Sequence, residues 1–172
     1  MSIFAAIAYL LLFAFSAISL LVDGVRSSET MMAVVIPLGL AQLMWMWAVF
    51  RAWSAATNVV RGVISALLTS IPVLGALANI VIIGGFGQAA NDTLGAGPSP
   101  TPVGTGLFRA YPFVAIACSL AVAVGSVLAD HGGRGPGELA MLGGAVVVCL
   151  LQAVVLARLL STAKLLRART AK

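Results

Sequence analysis

Apolar residues along this chain come in long runs separated by short polar segments. The dominant run is 62–91, thirty residues between Arg61 and Asp92 without one ionisable side chain. Its apolar centre, 63–86, would rise about 36 Å as a helix, more than the roughly 30 Å of a hydrocarbon core. Pro72 interrupts this run, Asn79 sits near its middle, and Gly84, Gly85 and Gly87 close it. Further runs at 3–22, 31–50, 112–129 and 139–157 predict four more spans. The pattern predicts an all-α integral membrane protein, a bundle of five transmembrane helices forming a single domain over 1–172. The alternative is four spans plus a re-entrant central segment.

The polar segments set the connections. Residues 23–30 (DGVRSSET) allow only a tight antiparallel return, and 51–61 (RAWSAATNVVR) form a short, weakly amphipathic link. The largest connection is 88–108, where Pro98, Pro100 and Pro102 alternate with small residues and predict an extended, polyproline-like course. Pro112 is expected to open the fourth span, a position where proline costs little. The first run lacks the basic start and small-residue exit of a signal peptide, so it reads as a retained span. A weak internal echo links Phe4-Ala5-Ala6-Ile7-Ala8 with Phe113-Val114-Ala115-Ile116-Ala117, and Arg51-x-x-Ser54-x-Ala56 with Arg158-x-x-Ser161-x-Ala163. It predicts two related hairpins flanking the central stretch.

Composition excludes a soluble fold. With 61% hydrophobic and 9% charged residues, 172 residues carry more apolar surface than a water-soluble domain of this size can hide. The net charge is +5, and five of the ten basic residues fall in the last fifteen positions. These are Arg158, Lys164, Arg167, Arg169 and Lys172, a tail (158–172) expected on the anionic cytoplasmic leaflet at about 1 kcal/mol per cation. No basic face with interleaved aromatics exists elsewhere, so nucleic acid is not an expected partner. A spanning centre puts seven basic residues inside and three outside, whereas a re-entrant centre puts eight inside and two outside. The charge rule leans to re-entry, while length and hydrophobicity favour a span. The expected location is a prokaryotic inner membrane with the C-terminus in the cytoplasm.

Candidate chemistry is sparse. Trp45, Trp47 and Trp53 with Arg51 fit the headgroup level, where an amphipathic ring has one wet and one dry side. Gln42, Asn79 and Gln152 are the deepest polar side chains. They read as interhelical glue, at about 0.6 kcal/mol per hydrogen bond, or as the lining of a hydrophilic path. Ala117, Ala121, Gly125 and Ala129 make a small-residue stripe on which another helix can pack closely. No acid, base or histidine lies mid-membrane, which weighs against a proton relay. His131 is the sole histidine, and Cys118 and Cys149 lie in apolar runs. Neither a metal site, a cofactor site nor a catalytic constellation can be assembled from these residues, so no enzyme activity is expected. The leading expectation is a non-catalytic accessory or scaffold subunit of a larger membrane complex, in contact with membrane lipids and other membrane subunits. The alternative is a small oligomeric transporter or channel with 62–91 lining the path.

Overall fold

Inside hydrocarbon a backbone amide finds no partner except its own chain, so apolar runs of this kind fold as helices. The computed structural model describes residues 2–23, 28–71, 74–95, 103–130 and 134–170. Within them lie six α-helices and no strand. The helices are α1 (Ser2–Asp23), α2 (Ser28–Ala56), α3 (Val59–Leu68), α4 (Leu74–Gly95), α5 (Gly106–Asp130) and α6 (Arg134–Thr170). Three of them, α2, α5 and α6, are long and apolar enough to cross a bilayer. The chain is an all-helical membrane protein.

The expected single helix over 63–86 does not form. α3 stops at Leu68 and α4 starts at Leu74, so the central run is a helical hairpin with its break beside Pro72. Proline disfavours helical backbone at the residue before it, which accounts for a break at this point. Pro72 itself lies outside the described residues.

Contacts along the helices fix their directions. Ser16 Oγ of α1 lies 3.3 Å from the carbonyl of Val34 in α2, and Tyr9 of α1 reaches Gln152 of α6. Gly125 of α5 meets Gly137 and Met141 of α6, and Gly144 of α6 meets Cys118 of α5. Hairpins α1–α2 and α5–α6 therefore both run out and back in the same sense. Between them, α3 doubles back along α2, with Gly62 against Phe50 and Ser54. α4 then returns along α3 and reaches the level of the α2 C-terminus, where Thr93 Oγ1 lies 2.8 Å from the Ala56 carbonyl. Among the described residues α2 and α5 never approach backbone to backbone, because the α3–α4 hairpin is wedged between them.

This topology sorts the charges. Arg51, Arg61, Arg109, Arg158, Lys164, Arg167 and Arg169 fall at one end of the bundle with a single acid, Asp92. At the far end Asp23, Glu29, Asp130 and Glu138 stand on helix-terminal turns with Arg134. Arg26 and Lys172 lie outside the described residues.

Several boundaries differ from the sequence reading. α2 continues to Ala56, and the link expected over 51–61 shrinks to Thr57 and Asn58. Asn58 Oδ1 accepts from the Arg61 N–H at 2.8 Å, the N-cap that starts α3. Residues 88–95 are helical, so no extended linker begins before Gly95, and Pro98, Pro100 and Pro102 lie outside the described residues. The chain is clasped on its return: Asn91 Nδ2 donates to the Val103 carbonyl at 3.0 Å, and the Val103 N–H donates to Asn91 Oδ1 at 2.6 Å. Pro112 is buried inside α5, six residues after the helix begins, rather than at its start. Spanning helices tolerate such a proline because neighbouring groups re-satisfy the freed carbonyl.

The basic tail is not a separate segment but the last turns of α6. Leu159, Ala163 and Leu166 are buried there against the bundle, and Arg169 Nη1 donates to the Leu94 carbonyl at 2.6 Å. That places a cation on the negative end of α4.

The core lies in the half of the bundle that the hairpin fills. Trp45 packs on Tyr111 at 5.5 Å, Trp53 on Phe86 at 5.8 Å, and Phe86 edge-on to Phe108 at 5.2 Å. Helix pairs close on glycine: a Cβ on Gly125 would lie 2.7 Å from the Gly137 carbonyl, with Met141 N at 3.0 Å. Gly125→Ala should therefore force α5 and α6 apart and destabilise the fold by about 1–3 kcal/mol. Gly143→Ala, with nothing within 4 Å, should leave stability unchanged or slightly raised. Thermal unfolding of both variants in detergent checks the pair.

Candidate functional site

The tip of the α3–α4 hairpin is where the polar side chains collect. As α3 ends, its last carbonyls lose their helical partners. Thr69 and Ser70 supply replacements. Thr69 Oγ1 donates to the Ala66 carbonyl at 3.0 Å and Ser70 Oγ donates to the same oxygen at 2.7 Å. The Thr69 N–H reaches Ser65 O at 3.1 Å, the Ser70 N–H reaches Leu67 O at 3.0 Å, and the Gly75 N–H reaches Ile71 O at 2.6 Å. A Cβ on Gly75 would sit 2.8 Å from the Thr69 carbonyl, so the return into α4 requires glycine.

Because the hairpin reaches only partway along α2 and α5, a cleft opens at its tip, backed by Val148 and Gln152 of α6. The cavity has a volume of about 610 Å³. Its polar lining consists of Gln42, Thr69, Ser70, Asn79, Tyr111, Ser119 and Gln152, and no lining residue is charged. Gln42 is exposed on α2, so the cleft is open at the side.

The three amides singled out in the sequence are thus brought to one site, with different roles. Gln152 ties helices together: Tyr9 Oη donates to its Oε1 at 2.6 Å, and its Nε2 donates to Tyr111 Oη at 3.3 Å. One side chain of α6 thereby links α1 and α5. Asn79 is the opposite case, since its Oδ1 is buried and has no hydrogen-bond partner. Thr69, Ser70, Tyr9 and Tyr111 were not singled out in the sequence. The hydroxyl pair just before Pro72 was the available signal for the first two, as a helix stop.

The other candidates lie apart from the cleft's centre. Trp45 and Trp53, expected beside lipid headgroups, are core residues at 3% and 5% exposure, because the α3–α4 hairpin folds over the end of α2. Trp47 is the outward one at 44%, with the Arg51 guanidinium 5.4 Å from its ring centre. In the small-residue stripe, Gly125 packs on α6 whereas Ala117 and Ala121 are exposed; the Ala129 side chain lies outside the described residues. Cys118 and Cys149 are free thiols. Among the described residues no three His, Cys, Asp or Glu side chains gather, and His131 is outside them.

Searches against protein-family models, curated proteins and solved structures find no match to this chain.

Replacing Gln152 by Leu should strand two tyrosine hydroxyls and cost about 1 kcal/mol, the scale of a single interhelical hydrogen bond or slightly more. Replacing Asn79 by Leu should cost nothing, because its carbonyl oxygen makes no bond to lose. Melting curves of the two purified variants, compared with the parent protein, test this ordering.

Proposed function

We propose that this protein admits a small, uncharged polar solute to the middle of a membrane, as a small transporter or channel. In this reading four helices, α1, α2, α5 and α6, cross the bilayer, and α3–α4 is a re-entrant hairpin entering from the basic end. The observation that carries it is the cleft at the hairpin tip, whose lining is polar but uncharged and includes Gln42, Ser70, Asn79 and Ser119. Irregular backbone at membrane depth survives where it is covered by protein or lines a water-filled cavity, and this cleft is such a place. At about 30 Å³ per water the cavity holds roughly 20 waters, enough for a solute of several heavy atoms. The lack of lining charge selects against ions, whose desolvation needs a compensating charge.

Charge placement orients the scheme. Seven described cations at one end against one at the other support a cytoplasmic basic end in this reading. A cysteine introduced at exposed Val59, in a Cys118→Ala/Cys149→Ala background, should then resist a membrane-impermeant thiol reagent added to intact cells. Five spans with a cytoplasmic tail require the contrary, rapid labelling at that position.

Reconstituted vesicles should shrink and recover faster than protein-free ones when challenged with urea or glycerol. Asn79→Leu should return that rate to the protein-free baseline while the protein melts as before. An unchanged rate would remove the conducting role. It would leave the accessory-subunit reading, whose support is the uncovered face of α5 at Ala117 and Ala121.

A further inference from the structure

At the basic end a second cavity, of about 780 Å³, lies between α1, α2 and α6. Arg51 comes from α2, Lys164 and Arg167 come from α6, and Ala5 of α1 forms the small side of the opening. Trp47 stands at the edge, with its ring held by the Arg51 guanidinium. The lining contains no acidic residue. Toward the far end the surface turns apolar, with exposed Leu43 one turn along α2 and exposed Leu11 further along α1.

We infer that this cavity is a binding site for the phosphate head of an anionic phospholipid, whose acyl chains lie along the apolar surface of α1 and α2. Each part of the site matches a part of that molecule. Arg51 presents a planar fork suited to two phosphate oxygens, and Lys164 adds a compact cation on the opposing helix. Trp47 is amphipathic and marks the boundary between the wet head and the dry chains. Basic pockets between helices at the cytoplasmic surface suit such heads, and a soluble anion would gain nothing from the apolar surface next to this one. The inference does not depend on the solute cleft, which lies along α6 nearer the far end and shares no lining residue with this cavity.

The test uses the full chain extracted gently from vesicles containing equal phosphatidylglycerol and phosphatidylcholine, with retained lipid counted by native mass spectrometry. Phosphatidylglycerol should be retained selectively, and its apparent affinity should fall about thirtyfold in Arg51→Gln/Lys164→Gln, for two lost cations. Arg61→Gln/Arg109→Gln removes the same charge from the same end outside the cavity and should leave retention unchanged. Lys164→Gln alone, at an exposed position, should lower retention about fivefold and serves if the double variant does not fold. Equal losses in both double variants, or equal retention of phosphatidylcholine, would overturn the site. So would inorganic phosphate at millimolar concentration displacing the lipid completely, since that would make it a free-anion site.

Discussion

A helix that stops within a long apolar run must find donors for its last carbonyl oxygens, and the rest of this fold follows from how the chain meets that demand. α3 stops after ten residues, too short to cross. Its terminal carbonyls are taken up by Thr69 and Ser70, partly through hydroxyls and partly through their own N–H groups. A buried carbonyl left without a donor costs about 1–3 kcal/mol, so two small hydroxyl residues support a turn at this point. Once it turns, α4 must come back beside α3, and the hairpin has no place to go except between α2 and α5.

Wedging a hairpin between two helices requires close approach on both flanks. Gly62 lets α3 lie on α2, where a Cβ would meet the Phe50 carbonyl at 2.9 Å. Gly87 lets α4 lie on α5, where a Cβ would meet Phe108 and Thr105 at 3.1 Å. Lipid supplies no hydrophobic force between helices, so van der Waals contact at such positions is what holds them. The aromatic residues from Trp45 to Phe108 then fill the space on the inner side of the wedge. This is why the buried core sits in one half of the molecule, and why the other half is thin and open above the hairpin tip.

The class of fold was legible because it rests on run length and on the scarcity of charge, which survive any rearrangement of the helices. Pro72 marked the central run as interrupted, but its division into two antiparallel helices was not legible. An uncharged stretch satisfies hydropathy whether it crosses or folds back, and the deciding detail lies in Thr69 and Ser70, whose hydroxyls look unremarkable until their carbonyl partners are known. Among the described residues seven of the eight basic side chains gather at one end, an asymmetry that the counts along the sequence could not assign to either topology. The burial of Trp45 and Trp53 was not legible for a related reason. Their position near Arg51 is what an interface residue has, but a neighbouring hairpin not visible in α2 itself covers them. Helix ends were misplaced where side chains mask a boundary: Asn58 starts a helix inside the segment read as a link, and Asn91 clasps a segment that composition marked as linker.

The same economy explains why the polar cleft stands where it does. A hairpin that fills only half of the gap leaves the other half to be lined by whatever α2, α5 and α6 present. At that level they present Gln42, Tyr111, Ser119 and Gln152 rather than a uniform apolar surface. Gln152 is consumed in tying Tyr9 to Tyr111, which fixes the back wall. Asn79 is not consumed by anything, although a leucine at that point would have removed the desolvation cost of its carbonyl oxygen. The oxygen stays enclosed beside the cleft that its residue lines, and no bond among the described residues repays the desolvation cost it carries.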